Sequence, residues 1–220
     1  MKKVFPILLV LIMLLCAAAC KADPAGQTPQ PTGEGQSAAP ESASPDTPAD
    51  VSAEPTETEP APEGKTLVVF FSATGTTKGV AEKIAAVENA DLYEIRAAQE
   101  YTAADLDWHD SSSRTTAEQN DPDARPAIGS EKISLAGYQK LYLGYPIWWG
   151  EEPRILDTFA ESYDFTGLTV IPFCTSGGSG VGRSGQNLSE KAGTGNWLEG
   201  RRFSGGVTRA ELQSWIESLN

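Results

Sequence analysis

Between Phe71 and Lys78 the chain reads Ser-Ala-Thr-Gly-Thr-Thr, which sets the hydroxyls of Ser72, Thr74, Thr76 and Thr77 around Gly75. An apolar run ends just before this stretch, and residues at helical spacing (Val80, Ile84, Val87) follow it. A phosphate held here would meet hydroxyl donors and the free N–H groups of a helix N-terminus, where the helix dipole adds about half a positive charge. Capping a helix needs only one Ser or Thr. Four hydroxyls in six residues exceed that need, so the stretch is read as an anion site, with Lys78 close by. Two other phosphate-like motifs carry less. "GKT" at 64–66 lacks the P-loop glycine five positions earlier, where Glu59 stands, and it precedes a strand instead of following one. "GVGRSG" at 180–185 fits G-x-G-x-x-G literally but lies seven residues past Phe173, outside a tight strand-to-helix turn.

Two further stretches could touch a ligand. "PIWWGEEP" (146–153) places Trp148 and Trp149 side by side after an apolar run, and a tryptophan face buries much area on a flat ring at little rotamer cost. Adjacent residues diverge, so one of the pair can pack in the core while the other faces a ligand. Glu151 and Glu152 beside them would either disfavour added negative charge on a bound group or form a solvated helix start. "CTSGGSGVG" (174–182) is glycine-rich enough for backbone amides to approach a ligand edge. Its Cys174 reads as a small buried residue, because no second cysteine in the domain can resolve it. His109 is the only histidine, so neither a Ser-His-Asp nor a histidine-metal constellation can be assembled. Arg114, Glu118, Arg125 and Pro126 fall in a polar stretch, where they either bind an anion or form loop salt bridges.

Strand-like and helix-like runs alternate around these stretches. "TLVVFF" (66–71), "DLYEIRA" (91–97), "KLYLGY" (140–145), "LTVIPF" (168–173) and "NWLEGRRF" (196–203) read as strands. "TKGVAEKIAAV" (77–87), "EPRILDTFAESY" (152–163) and "TRAELQSWIESL" (208–219) read as helices, the last opening with Thr208 and Glu211 in capping-box spacing. Five strands separated by helices predict a doubly wound parallel α/β sheet. Ligands of such sheets sit beyond the carboxyl ends of the strands, where the strand order reverses.

The rest of the chain frames this domain. Residues 1–20 carry Lys2, Lys3, an apolar stretch from Val4 to Leu15 and the ending "CAAAC", the layout of a secretory signal. Cys20 directly after three alanines resembles the lipobox of bacterial lipoproteins, in which the cysteine is lipidated and becomes the mature N-terminus; Ala17 departs from the usual leucine. From residue 21 to 64 the composition turns to proline and acidic residues, with nine of each between Ala22 and Gly64 and no basic residue among them. Such a segment buries too little surface to offset its ordering entropy, so a disordered tether reaching roughly 35–40 Å is expected. Residues 65–220 then form one domain of ordinary size, with 14 basic and 21 acidic side chains, a net of −7 against −13 for the whole chain. No basic stripe exists to neutralise phosphates, which argues against a nucleic-acid partner.

"FFSATGTTKGVAEKIA", "YLGYPIWWGEEPRIL" and "VIPFCTSGGSGVGRS" together resemble the three cofactor-binding loops of flavodoxins, in order and at the ends of strands one, three and four. The resemblance covers nearly all of residues 65–220. It implies a five-stranded sheet of order 2-1-3-4-5 that binds FMN noncovalently. Ser72, Thr74, Gly75, Thr76 and Thr77 would hold the phosphate. Pro146, Ile147, Trp148, Trp149 and Gly150 would flank one side of the isoalloxazine, and Cys174, Thr175, Ser176, Gly177, Gly178, Ser179 and Gly180 the other. With the N-terminal reading, it implies an electron-transfer protein anchored by lipid outside the cytoplasmic membrane. Its partners would be redox proteins or small electron acceptors. An FMN-dependent, quinone-type oxidoreductase and a non-catalytic flavin-binding protein are the alternatives.

Overall fold

The computed structural model describes residues 64–219. The expected signal ending at Cys20 and the proline-rich segment up to residue 63 lie outside the described residues, so the domain boundaries expected there do too.

Strands β1 (Lys65–Phe71), β2 (Asp91–Ile95), β3 (Tyr138–Pro146), β4 (Thr169–Thr175), β5 (Asn196–Trp197) and β6 (Arg201–Phe203) alternate with helices α1 (Thr76–Glu88), α2 (Arg114–Asn120), α3 (Arg154–Ser162), α4 (Ser184–Ala192) and α5 (Arg209–Glu217). All strand pairs are parallel, as expected for a doubly wound sheet, and the order β2-β1-β3-β4-β5 is the one the flavodoxin resemblance implied. The fifth strand is not continuous. Its two pieces both pair with β4, Val170 opposite Trp197 and Phe173 opposite Arg201, so four residues on one side span three on the other. The interruption falls opposite Pro172, which has no N–H to offer a ladder, and the extra residue is accommodated as in a bulge.

The continuous apolar run of β1 is explained by burial on both faces. Leu67, Val69 and Phe71 join a cluster with Ile155, Leu156 and Phe159 of α3 and Leu188 of α4. Val68 and Phe70 join one on the opposite face with Val80, Ala81 and Ile84 of α1 and Leu212, Trp215 and Ile216 of α5. Each such side chain contributes about 1.5–3 kcal/mol when fully buried. The two clusters press helices onto the sheet from both sides and hold the loops at the carboxyl ends of the strands in register.

Helices α1, α3 and α5 match the periodic runs in the sequence, and the capping box of α5 is formed by Thr208 and Glu211 as expected. Helices α2 and α4 were not expected. Buried α2 side chains are polar (Thr115, Thr116, Gln119), and α4 buries only Ser184 and Leu188, so neither carries an apolar stripe that periodicity could reveal.

Candidate functional site

The β1–α1 turn is shaped by Gly75, which takes φ +85° at the N-cap position of α1 and carries no Cβ to resist that conformation. No side chain caps this helix and no acidic residue stands in its first turn. Its first N–H groups therefore point out with neither a side-chain acceptor nor a nearby carboxylate to satisfy them. Of the expected hydroxyls, Ser72 Oγ is buried without a hydrogen-bond partner. Thr77 is almost wholly buried and shares a 2.8 Å hydrogen bond with Thr175 at the end of β4. That bond ties the β1 loop to the β4 loop and fixes their spacing.

A cavity of about 470 Å³ opens between these loops. Ser72, Thr74, Thr76 and Thr77 line it from β1–α1; Pro146, Ile147 and Trp148 from the end of β3; Thr175, Ser176 and Gly177 from β4; and Arg202, Ser204 and Gly205 from β6 and the turn after it. All three predicted loops thus converge on one cleft beyond the carboxyl ends of the strands. The turn after β6 presses close: a Cβ on Gly205 would stand 2.9 Å from the Thr76 methyl. Arg202 is the single charged side chain among the residues lining the cavity, and the sequence reading did not single it out. Its signal was faint, a basic pair ahead of Phe203 in a short mixed stretch read as a strand.

A second cavity of about 320 Å³ adjoins the first through Thr74, Ile147 and Trp148. Leu106, Trp108, Thr115 and Trp149 complete its lining, and no charged side chain faces it. Trp108 and Trp149 are 67% and 47% exposed, two of the three large apolar side chains exposed among the described residues. The two adjacent tryptophans divide their roles. Trp148 packs edge-on against Phe71 and Tyr101, with ring centroids 5.6 and 5.4 Å away. Trp149 takes φ +50°, a strained conformation for a bulky residue, and turns outward. Gln119 of α2 holds this loop by donating to the carbonyls of Trp148 and Glu152, both at 3.3 Å. A polar side chain in a nonperiodic stretch gave no sequence signal for that role.

Several predicted residues lie elsewhere. Cys174 lines neither cavity; it is fully buried in the α3–α4 cluster, and burial pushes its thiol up to about 12, so no thiolate forms near neutral pH. Gly178, Ser179 and Gly180 are exposed beyond the cleft, and Gly150 lines neither cavity. Ser176 Oγ donates to the Ser179 carbonyl and curls that loop on itself. Glu151 is exposed and pairs with Arg154 at 3.2 Å, but Glu152 is fully buried. Burial, helped by the neighbouring Asp157 charge, raises the Glu152 carboxyl to about 7, so it does not present the full negative charge that the sequence suggested. Arg114 and Arg125 make the salt-bridge option real, with Glu118 at 2.6 Å and Glu161 at 2.7 Å. Lys78 turns aside toward Glu94 at 4.0 Å, and His109 stacks on Trp108 at the surface. No group of three or more metal-ligating side chains occurs among the described residues.

The family profile for flavodoxin matches residues 65–219, which is most of the chain. The chain belongs to the flavodoxin family. Among solved structures, a protein of Bacteroides uniformis, provisionally named a flavoprotein, is 48% identical with a TM-score of 0.67; the match covers 70% of this chain and 98% of that one. A protein of Bacteroides eggerthii with the same provisional name is 46% identical, TM-score 0.66, over 70% of this chain and 97% of that one. A Lactobacillus acidophilus flavoprotein in complex with FMN shares the flavodoxin fold at 24% identity and a TM-score of 0.55, over 70% of this chain and 99% of its own. No match was found among curated proteins. The uncovered part of this flavodoxin-family chain is about the length of its N-terminal signal-like and proline-rich segments.

Proposed function

We propose that the domain binds FMN in the cleft and serves electron transfer, tethered outside the cytoplasmic membrane through a lipid on Cys20. The carrying observation is an uncapped helix N-terminus beside the partnerless Ser72 hydroxyl, opening into a cavity that continues onto aromatic surface. The residues fit the group. Ser72, Thr74, Thr76 and the α1 amides would hold the phosphate by donating to it, which costs little because these donors lack protein partners. Thr77 would contribute its N–H while its hydroxyl keeps the Thr175 bond. Ile147, Trp148 and Trp149 would flank one side of the ring, and Thr175, Ser176 and Gly177 the other. Bound there, FMN supplies one- and two-electron redox chemistry, and the protein supplies position and electrostatics. The 48% identity to a chain provisionally named a flavoprotein supports the reading. The layout of residues 1–20 supports the anchor. Redox partner proteins are the expected donors and acceptors.

The test is a flavin titration of the full chain stripped of any bound flavin, followed by absorbance. Flavin bands that shift with saturable one-to-one binding support the proposal, and an unperturbed spectrum removes it.

A second reading, an FMN-dependent reductase of small acceptors, is favoured by one observation: the charge-free cavity at Leu106, Trp108 and Trp149 suits a flat uncharged molecule. Under that reading Trp108→Ala slows reoxidation of the reduced protein by a naphthoquinone while leaving its reaction with a one-electron protein acceptor unchanged. Equal effects on both would favour the carrier.

A further inference from the structure

Arg202 stands out because it brings the single charged side chain to the cleft and has no carboxylate beside it. It lies on β6, opposite Cys174 in register, and its orientation is set by Phe203, which is buried in the core against Trp215 with ring centroids 4.9 Å apart. The guanidinium is half-buried and donates through Nε to Ser176 Oγ at 3.2 Å and through Nη2 to the Ser176 carbonyl at 2.8 Å. No carboxylate lies within 4.0 Å of it among the described residues. Arg96, Arg114, Arg125 and Arg154 pair with acidic side chains. Arg183, Arg201 and Arg209 also stand without a carboxylate within 4.0 Å among the described residues, but of these four unpaired arginines only Arg202 lines the cleft. Two of the five guanidinium N–H groups are thus committed to one serine, which anchors the fork, and Arg202 lines a cavity whose other lining residues are all neutral. Ser72, whose buried hydroxyl has no partner, and the first turn of α1 line the same cavity, while Lys78 in that turn is directed to Glu94. A fixed, partly desolvated guanidinium facing hydroxyls and helix amides is built for a dianion, because charge-assisted bonds in such a site are about twice as strong as neutral ones.

We propose that Arg202 supplies the positive charge of the phosphate site and makes the cleft select phosphorylated flavin over riboflavin. The proposal rests on the flavin reading above and names the residue that reads the phosphate. Arg202 therefore does two separable things: it pins the Ser176 loop and it pairs with the anion. Losing the first affects any flavin, whereas losing the second affects only one that carries phosphate.

The experiment compares FMN and riboflavin binding to the full chain by flavin fluorescence, in the natural protein and in Arg202→Gln and Arg202→Lys variants, with circular dichroism to check the fold. In Arg202→Gln, FMN affinity falls roughly 10- to 100-fold, the size of one or two charge-assisted bonds, while riboflavin affinity stays within about threefold. Arg202→Lys keeps the charge without the fork and recovers part of the FMN loss. Equal losses for both flavins, or no loss for either, overturn the proposal by leaving Arg202 a loop anchor or a bystander. Inorganic phosphate separates the two layers of the argument. If the natural protein binds no flavin but phosphate still raises its melting temperature, and does not in Arg202→Gln, the flavin reading fails and the anion site at Arg202 stands. Binding of neither flavin nor phosphate overturns both.

Discussion

Thr77 and Thr175 share a 2.8 Å hydrogen bond between their hydroxyls although 98 residues of sequence separate them. Both side chains are almost wholly buried, so each hydroxyl depends on the other. Thr77→Val keeps the shape, removes one partner and strands the Thr175 hydroxyl in the core. We expect a loss of about 1–3 kcal/mol in urea unfolding, together with weaker FMN binding as the two loops lose their tie. Unchanged stability would show that the two loops are held by other contacts.

Trp149 pairs strain with exposure. Its φ of +50° costs a bulky residue on the order of 1 kcal/mol or more, and glycine adopts that conformation freely. Trp149→Gly should therefore leave unfolding stability unchanged or raised by up to about 1 kcal/mol, while flavin affinity falls roughly tenfold with the loss of a stacking face. Calorimetry and a flavin titration on the same sample check both signs, and a variant that loses stability and keeps affinity reverses the argument.

Gln119 joins α2 to the loop after β3 through the carbonyls of Trp148 and Glu152. Gln119→Leu fills the space but donates nothing, so the Glu152 carbonyl loses this donor while the Trp148 carbonyl keeps the Glu151 N–H at 3.0 Å. Flavin affinity is expected to drop several-fold with little change in fold, and hydrogen exchange at residues 148–152 should speed up. Protection equal to that of the natural protein would remove α2 from the support of the site.

Glu152 makes stability depend on pH in an unusual direction. Its carboxyl ordinarily titrates at 4.5, and burial first, then the charges of Asp157 and Glu151, raise it to about 7 in the folded protein. The folded state thus holds this proton more tightly than the unfolded state does. The associated stability is fully present below pH 4.5 and is lost as pH rises through about 7, by about 3 kcal/mol. Glu152→Gln should flatten that part of the profile, keeping polar contact with Asn187, whose amide now meets Glu152 Oε2 at 3.3 Å. Asp157 is raised in the same direction by burial, against the pull of Lys191, Arg154 and Arg125, and its share of the slope should remain. Unfolding measured from pH 4 to pH 8 reads both; an unchanged slope in the variant would sink the assignment.

Cys20 carries the proposed anchor. Cys20→Ser should move the protein from the membrane fraction to the soluble one and abolish labelling by a radioactive fatty acid. Retention in the membrane would mean that another part of the chain holds it there.

Much of this architecture could be read from local pattern. A strand buried on both faces must be apolar at every position, so "TLVVFF" announces a central parallel strand, and the periodic runs at 77–87, 152–163 and 208–219 announce helices. The surplus of hydroxyls around Gly75 marked the turn that lines the cleft; the convergence of the three loops was implied by their resemblance to those of flavodoxins and not by local pattern. Residue types at short range determined the strand, the helices and the turn, because backbone preference and burial period act within a few residues.

Four outcomes were decided only by the tertiary structure. Which tryptophan packs and which turns out depends on Phe71 and Tyr101, elements far apart in sequence. Cys174 leaves the cleft because side chains alternate across β4, so its neighbour Thr175 faces Thr77 while it enters the opposite cluster. Glu152 loses its expected exposure to the packing of α2 and α4, helices with no apolar stripe. Arg202 reaches the cleft because the break opposite Pro172 sets the register of β6 on β4. Each result follows from strand register and loop contacts across tens of residues, which local periodicity does not encode.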